Sequence, residues 1–222
     1  MSLPAKAVIF DFNGTLFHDS EFHHEAWCRF ANRYGKTLNE EDFDAHIHGS
    51  TNREIIEYLF QTKPNENEML RFYEEKETIY REICKRNPEK CILTPGADVF
   101  LDYLSERNIP CTIATASYQL NVEMYFHLFH LNRWFQFEKI VFDTGGYRGK
   151  PYPDMFLASA DKLGIPIDQC MIIEDSIRGV KAAVNAGAGT IIAVDFDRNP
   201  DKFSLLKGID SIISDFRQLI TQ

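Results

Sequence analysis

The chain has 222 residues, 44% of them apolar and 13% aromatic, and carries a formal net charge of −9. Such a supply of apolar side chains supports one large domain, or a core with a smaller companion, and excludes a disordered chain. The acidic balance excludes nucleic acid and anionic membrane as general partners, and leaves a small anionic substrate only where local cations or a metal offset the chain's own field.

In chain order, Met1-Ser2-Leu3-Pro4 has no signal-peptide apolar region, and no apolar run approaches the roughly 18 residues of a membrane span. Ala7 to Phe10 is a short apolar run of the kind that forms a buried parallel strand. From about His18 to Asn87 the pattern is helical, a bundle of about four helices, with Phe22, Ala26, Trp27, Phe30 and Tyr34 on one face and a polar break at Thr62 to Glu68. After Leu93 to Ala97 ("LTPGA") strands and helices alternate. The segments "CTIATAS", "KIVFD", "CMIIED", "TIIAV" and "SIIS" read as strands, and the segments between them as helices, two of which end near Gly164 and Gly187. This alternation predicts an α/β fold: a doubly wound, Rossmann-like parallel sheet, residues 1–17 and 88–222, with an α-helical domain inserted after the first strand, residues 18–87. The five cysteines (Cys28, Cys84, Cys91, Cys111 and Cys170) form no CxxC pair and are odd in number, which fits reduced thiols in a cytoplasmic protein.

In an open parallel sheet the ligand site lies beyond the carboxyl ends of the strands. The first strand ends on Asp11, another on Thr115-Ala116-Ser117, and another on Glu174-Asp175; a nearby loop carries Gly149-Lys150-Pro151. A carboxylate nucleophile, hydroxyls, a lysine and a metal-binding acidic pair are what phosphoryl transfer requires. Each has a plainer reading. Asn13-Gly14 is also a hairpin signal, Asp175-Ser176 an N-cap, Lys150 a solvated loop lysine and Thr115 a hydrogen-bonding filler. Their order on successive strand ends favours the site.

Four motifs, "DFNGT", "ATAS", "GKPYPD" and "IIEDSIRGVKAAVNAGA", resemble those of the haloacid dehalogenase superfamily, and the helical insertion resembles the cap of its β-phosphoglucomutase-like branch. The resemblance implies that Asp11 takes the phosphoryl group as an aspartyl phosphate. It implies a Mg²⁺ ion held by Asp11, by the main-chain carbonyl of Asn13 and by Asp175, with Glu174 behind them. Thr115 would bind phosphoryl oxygens, with Gly14, Thr15, Ala116 and Ser117 lining the substrate, and Lys150 would pair with Asp11. In the cap, His23 matches the histidine of "HHEAW", and Arg53 of the loop "GSTNRE" (Gly49 to Glu54) is placed to meet a distal phosphate, though a solvated arginine is its plainer reading. Lys150 with the acidic pair fits phosphate better than dehalogenation, which needs no metal. The implied partner is a small phosphorylated metabolite, a hexose phosphate by analogy, and the implied state a monomer.

The family's phosphatases and mutases have an aspartate where this chain has Asn13. That aspartate protonates the leaving oxygen and then activates water or a hydroxyl, a contribution of about 10²–10⁴-fold. The asparagine leaves three readings open: a slow enzyme or one whose leaving group needs no proton, with His18 or His23 as alternative proton sources; an introduced isosteric replacement; or a non-catalytic protein that binds a phosphorylated ligand and Mg²⁺.

Overall fold

The structure is a computed structural model that describes residues 3–47, 50–199 and 201–220. It divides into two compact units, Met1–His18 with Ile92–Gln222, and Asp19–Cys91.

In the first unit, six strands among the described residues form one parallel sheet: β1 (Ala7–Phe10), β2 (Cys111–Tyr118), β3 (Val141–Asp143), β4 (Cys170–Glu174), β5 (Thr190–Val194) and β6 (Ser211–Ile213), in the order β3-β2-β1-β4-β5-β6. The expected α/β class and parallel sheet are therefore present. β1 is central. It pairs with β2 from Val8↔Cys111 to Phe10↔Ile113 and with β4 from Ala7↔Cys170 to Phe10↔Ile173. The chain builds outward from β1 on one side through β2 and β3, then crosses to β4 on the other. That reversal opens a crevice at the carboxyl ends of β1 and β4.

Side chains alternate across a strand, so β1 serves two cores. Ala7 and Ile9 join Met155, Phe156, Val180 and Ala183. These come from α7 (Asp154–Leu163) and α8 (Ile177–Ala186). Phe10 instead meets Phe100 of α5 (Ala97–Glu106) and Phe216 edge-on or tilted, with ring centroids 6.1 Å away in each case. Burying rings of this size dominates the packing energy; truncating one to alanine costs about 3–5 kcal/mol. Both α7 and α8 stop on a glycine in the left-handed region, Gly164 (φ 70°) and Gly187 (φ 74°), where a β-carbon is unfavourable.

The second unit is helical: α1 (Ser20–Arg33), a short α2 (Glu40–Asp42) running into a π-helical turn (Phe43–Ile47), α3 (Asn52–Phe60), α4 (Glu66–Arg86) and a 3₁₀ turn (Pro88–Lys90). Capping boxes start α2 at Asn39, α3 at Thr51 and α4 at Asn65, each with an acidic side chain three residues on returning the bond. Phe30, Tyr34, Phe60 and Phe72 form its aromatic centre, with Phe60 and Phe72 stacked at 4.5 Å. None of the described helices is long and apolar enough to cross a membrane.

Candidate active site

The site begins where β1 ends. Past Phe10 the backbone N–H of Asp11 still donates to the Ile173 carbonyl, so the Asp11 carboxylate is carried on the sheet itself. The chain then turns tightly: Leu16 and Phe17 N–H both donate to the Phe12 carbonyl, and Gly14 N–H donates back to Phe17 at 2.7 Å. Gly14 has φ +86°, and a β-carbon there would lie 2.3 Å from Asp175 Oδ2. The Asn-Gly pair thus makes a turn, closed by one bridge between Asn13 and Phe17, but the chain enters α1 and no hairpin strand returns.

Lys150 Nζ lies 2.6 Å from Asp11 Oδ1 and 3.2 Å from Glu174 Oε1, all three groups being buried or nearly so. Asp11, Glu174 and Asp175 each bring a carboxylate oxygen within 4.8 Å of the others. Thr15 Oγ1 donates to Asp175 Oδ1 at 3.3 Å and Ser176 Oγ donates to Glu174 Oε1 at 3.1 Å. Two further α8 side chains fix the lysine loop: Arg178 Nε donates to the Lys150 carbonyl and Asn185 Nδ2 to the Pro151 carbonyl, both at 2.9 Å.

Charge in this cluster is unbalanced. Burial works against the Lys150 ammonium, but Asp11 and Glu174 outweigh it and hold the lysine above its ordinary range. Burial pushes Glu174 up, against the pull of Lys150, and repulsion from Asp11 and Asp175 adds to the rise. Asp175 is likewise pushed up by burial and then by Asp11, with Lys202 and Lys150 acting the other way. Three close carboxylates facing one ammonium form an oxygen-only donor set short of positive charge, the chemistry that a hard divalent cation satisfies. The missing β-carbon of Gly14 leaves room beside Asp175.

Asn13 is engaged by the next strand. Its Oδ1 accepts from Ser117 Oγ at 2.8 Å and from Thr115 Oγ1 at 3.2 Å, and its Nδ2 donates to the Tyr125 hydroxyl at 2.9 Å. Thr115 Oγ1 in turn accepts from the Ser117 N–H at 3.1 Å. Ala116, between the two hydroxyl residues, is exposed.

Of the residues singled out from the sequence, Asp11, Asn13, Gly14, Thr15, Thr115, Ala116, Ser117, Lys150, Glu174 and Asp175 all follow or end strands of the first unit. His23 and Arg53 belong to the second. His23 stacks on Tyr80 at 4.2 Å, with Nε2 3.2 Å from Asp19 and Nδ1 2.9 Å from the fully buried Lys76, which also pairs with Glu77. Arg53 pairs with Glu66 at 2.9 Å on an exposed surface. Gly49 of the "GSTNRE" loop lies outside the described residues. His18 packs near Phe196 at 6.0 Å in the first unit. Tyr125, Ser176, Arg178 and Gly179 are not among the site residues named from the sequence; Ser176, Arg178 and Gly179 sit inside the quoted motif, whereas Tyr125 carries no signal in the sequence.

A family model for haloacid dehalogenase-like hydrolases matches residues 5–187. The chain belongs to that family. It is 30% identical over 212 residues to a phosphorylated carbohydrates phosphatase of Thermotoga maritima, covering 94% of each chain. It is 31% identical to the β-phosphoglucomutase of Bacillus subtilis over 82% of this chain and 80% of that one. Among solved structures, a family IA HAD hydrolase from Entamoeba histolytica superposes with a TM-score of 0.89 at 35% identity, covering 96% of this chain and 94% of the other.

Proposed function

We propose that the chain is a Mg²⁺-dependent phosphatase of small phosphorylated carbohydrates that works through an aspartyl phosphate on Asp11 and is slowed by Asn13. The observation that carries this reading is the Asp11–Lys150–Glu174–Asp175 cluster, with Asp11 and Glu174 buried and Lys150 and Asp175 half-buried, at the reversal of the sheet. The carbohydrate class is supported by the names of the relatives, a phosphorylated carbohydrates phosphatase, a hexitol phosphatase and a β-phosphoglucomutase. Asp11, Asp175 and the Asn13 carbonyl would hold Mg²⁺, with Glu174 behind them. When bound, the ion neutralises charge on the phosphoryl oxygens.

The chain's own groups then divide the work. A carboxylate oxygen of Asp11 attacks phosphorus while the bond to the leaving oxygen breaks, and the leaving oxygen departs with the electron pair. Lys150 keeps Asp11 ionised and offsets the phosphoryl charge. Thr115 turns its hydroxyl hydrogen from Asn13 to a phosphoryl oxygen, while Ser117 stays bonded to Asn13 Oδ1. Water then attacks phosphorus, freeing the Asp11 carboxylate and inorganic phosphate. Both steps ask residue 13 for a proton transfer that an amide does not perform.

A leaving group that needs no proton passes the first step unaided, and the second then limits turnover. With Mg²⁺ and p-nitrophenyl phosphate or acetyl phosphate, the expected result is a burst of product of about one equivalent per chain followed by slow turnover, absent in Asp11→Ala. Turnover that survives Asp11→Ala contradicts the reading; calorimetric binding of a phosphate ester with no turnover in any form supports a non-catalytic binder instead.

A further inference from the structure

Residue 13 is fixed by a closed ring of hydrogen bonds. Asn13 Nδ2 donates to Tyr125 Oη at 2.9 Å, Ser117 Oγ donates to Asn13 Oδ1 at 2.8 Å, and the two hydroxyls are 3.4 Å apart. Tyr125, on α6 (Gln119–Leu128), is buried and has little freedom to move, because its ring stacks on Phe12 at 4.3 Å and meets Phe17 edge-on at 6.4 Å. Phe12 and Phe17 flank the very turn that presents Asn13. The aromatic contacts and the hydroxyl ring therefore hold one side chain from both directions.

We propose that Tyr125, with Ser117, is a positioning residue that holds the side chain of residue 13 against the end of β2. This inference rests on the function proposed above. An amide suits the ring because it both donates and accepts. A carboxylate at the same place would accept from Ser117, Thr115 and Tyr125 together, so the ring would restrain it as well. The chain therefore lacks its proton carrier twice over: in the identity of residue 13 and in the hydroxyls that keep this side chain turned to β2. Restoring aspartate alone leaves the second restraint in place.

The test is a double-mutant cycle on the full chain with Mg²⁺ and p-nitrophenyl phosphate, using wild type, Tyr125→Phe, Asn13→Asp and the double variant. Burst rate and steady-state rate are read separately. The tyrosine-to-phenylalanine change keeps the stacked ring and removes only the hydroxyl. In the asparagine background it is expected to alter steady-state turnover by less than about threefold. In the aspartate background it is expected to raise turnover by about tenfold or more, out of the 10²–10⁴-fold that a proton carrier supplies, with the burst rate nearly unchanged. Equal effects in both backgrounds, or a fall in the aspartate background, overturn the proposal. A second readout is independent of activity: the side-chain NH₂ of Asn13 should exchange slowly in wild type and faster in Tyr125→Phe. Unchanged exchange also overturns it. A burst that persists in Asp11→Ala refutes the proposed function instead, so the two failures are distinguishable.

Discussion

Gly179 shows how little space the site allows. A β-carbon at this first-turn position of α8 would lie 1.7 Å from Glu174 Oε2. Glu174 is buried and bonded to Lys150, so it has nowhere to retreat without breaking that pair. Gly179→Ala is expected to cost about 2–4 kcal/mol of stability in denaturant unfolding and most of the activity, although alanine favours a helix. At this scale the sequence was legible where chemistry is tied to a motif. Asp11 and Glu174 are recognisable because they end apolar runs, and Lys150 and Asp175 because they fall in the motifs "GKPYPD" and "IIEDSIRGVKAAVNAGA". Tyr125 was not legible. Its hydroxyl matters only because folding brings α6 beside the turn after β1, a contact between residues 112 positions apart. The same limit applies to His23, whose environment of Asp19, Tyr80 and Lys76 comes from α4 as much as from its own helix.

Among the elements, α8 links the acidic cluster to the lysine loop. Ser176 caps it by accepting from Gly179 N–H at 3.0 Å while its hydroxyl donates to Glu174. Ser176→Ala should cost about 1 kcal/mol, the usual value of such a cap, seen as a lower thermal midpoint. The strands make a separate prediction through their first residues. Burial pushes the thiol of Cys170, which opens β4, from an ordinary 9.0 up to about 11, and that of Cys111, which opens β2, up to about 12. Both are thus protonated in the folded state at pH values where the unfolded chain ionises. The unfolded state is then favoured as pH rises past 9, and stability should fall until the folded thiols also ionise. Denaturant unfolding from pH 8.5 upward, within roughly two pH steps, measures this slope, and Cys170→Ala should reduce it. Some boundaries were readable: the apolar runs from Ala7 to Phe10 and in "TIIAV" coincide with β1 and β5. The π-helical turn Phe43–Ile47 was not, since its residues carry no periodicity that distinguishes it from the short helix before it.

For the whole molecule, the sheet order does what no single motif does. It brings Asp11 and Glu174, 163 positions apart in the chain, to adjacent strand ends, as the pairing Phe10↔Ile173 requires. The alternation of strands and helices predicted a parallel sheet, but the order of its strands rests on long-range pairing that local patterns do not carry. A net charge of −9 also means that binding a cation at the acidic cluster relieves repulsion in the folded state. Mg²⁺ should therefore raise the thermal midpoint of wild type and have much less effect on Asp175→Asn, read by calorimetry at fixed ionic strength.

The central claim is that Asp11 is a nucleophile whose phosphorylated form accumulates because residue 13 is an amide. Rapid-quench mass spectrometry after mixing with Mg²⁺ and acetyl phosphate tests it most directly. A phosphoryl group is expected on Asp11 within the burst, lost slowly from the asparagine form and faster from Asn13→Asp/Tyr125→Phe. Steady turnover with no phosphorylated Asp11, or with activity unchanged in Asp11→Ala, would contradict it.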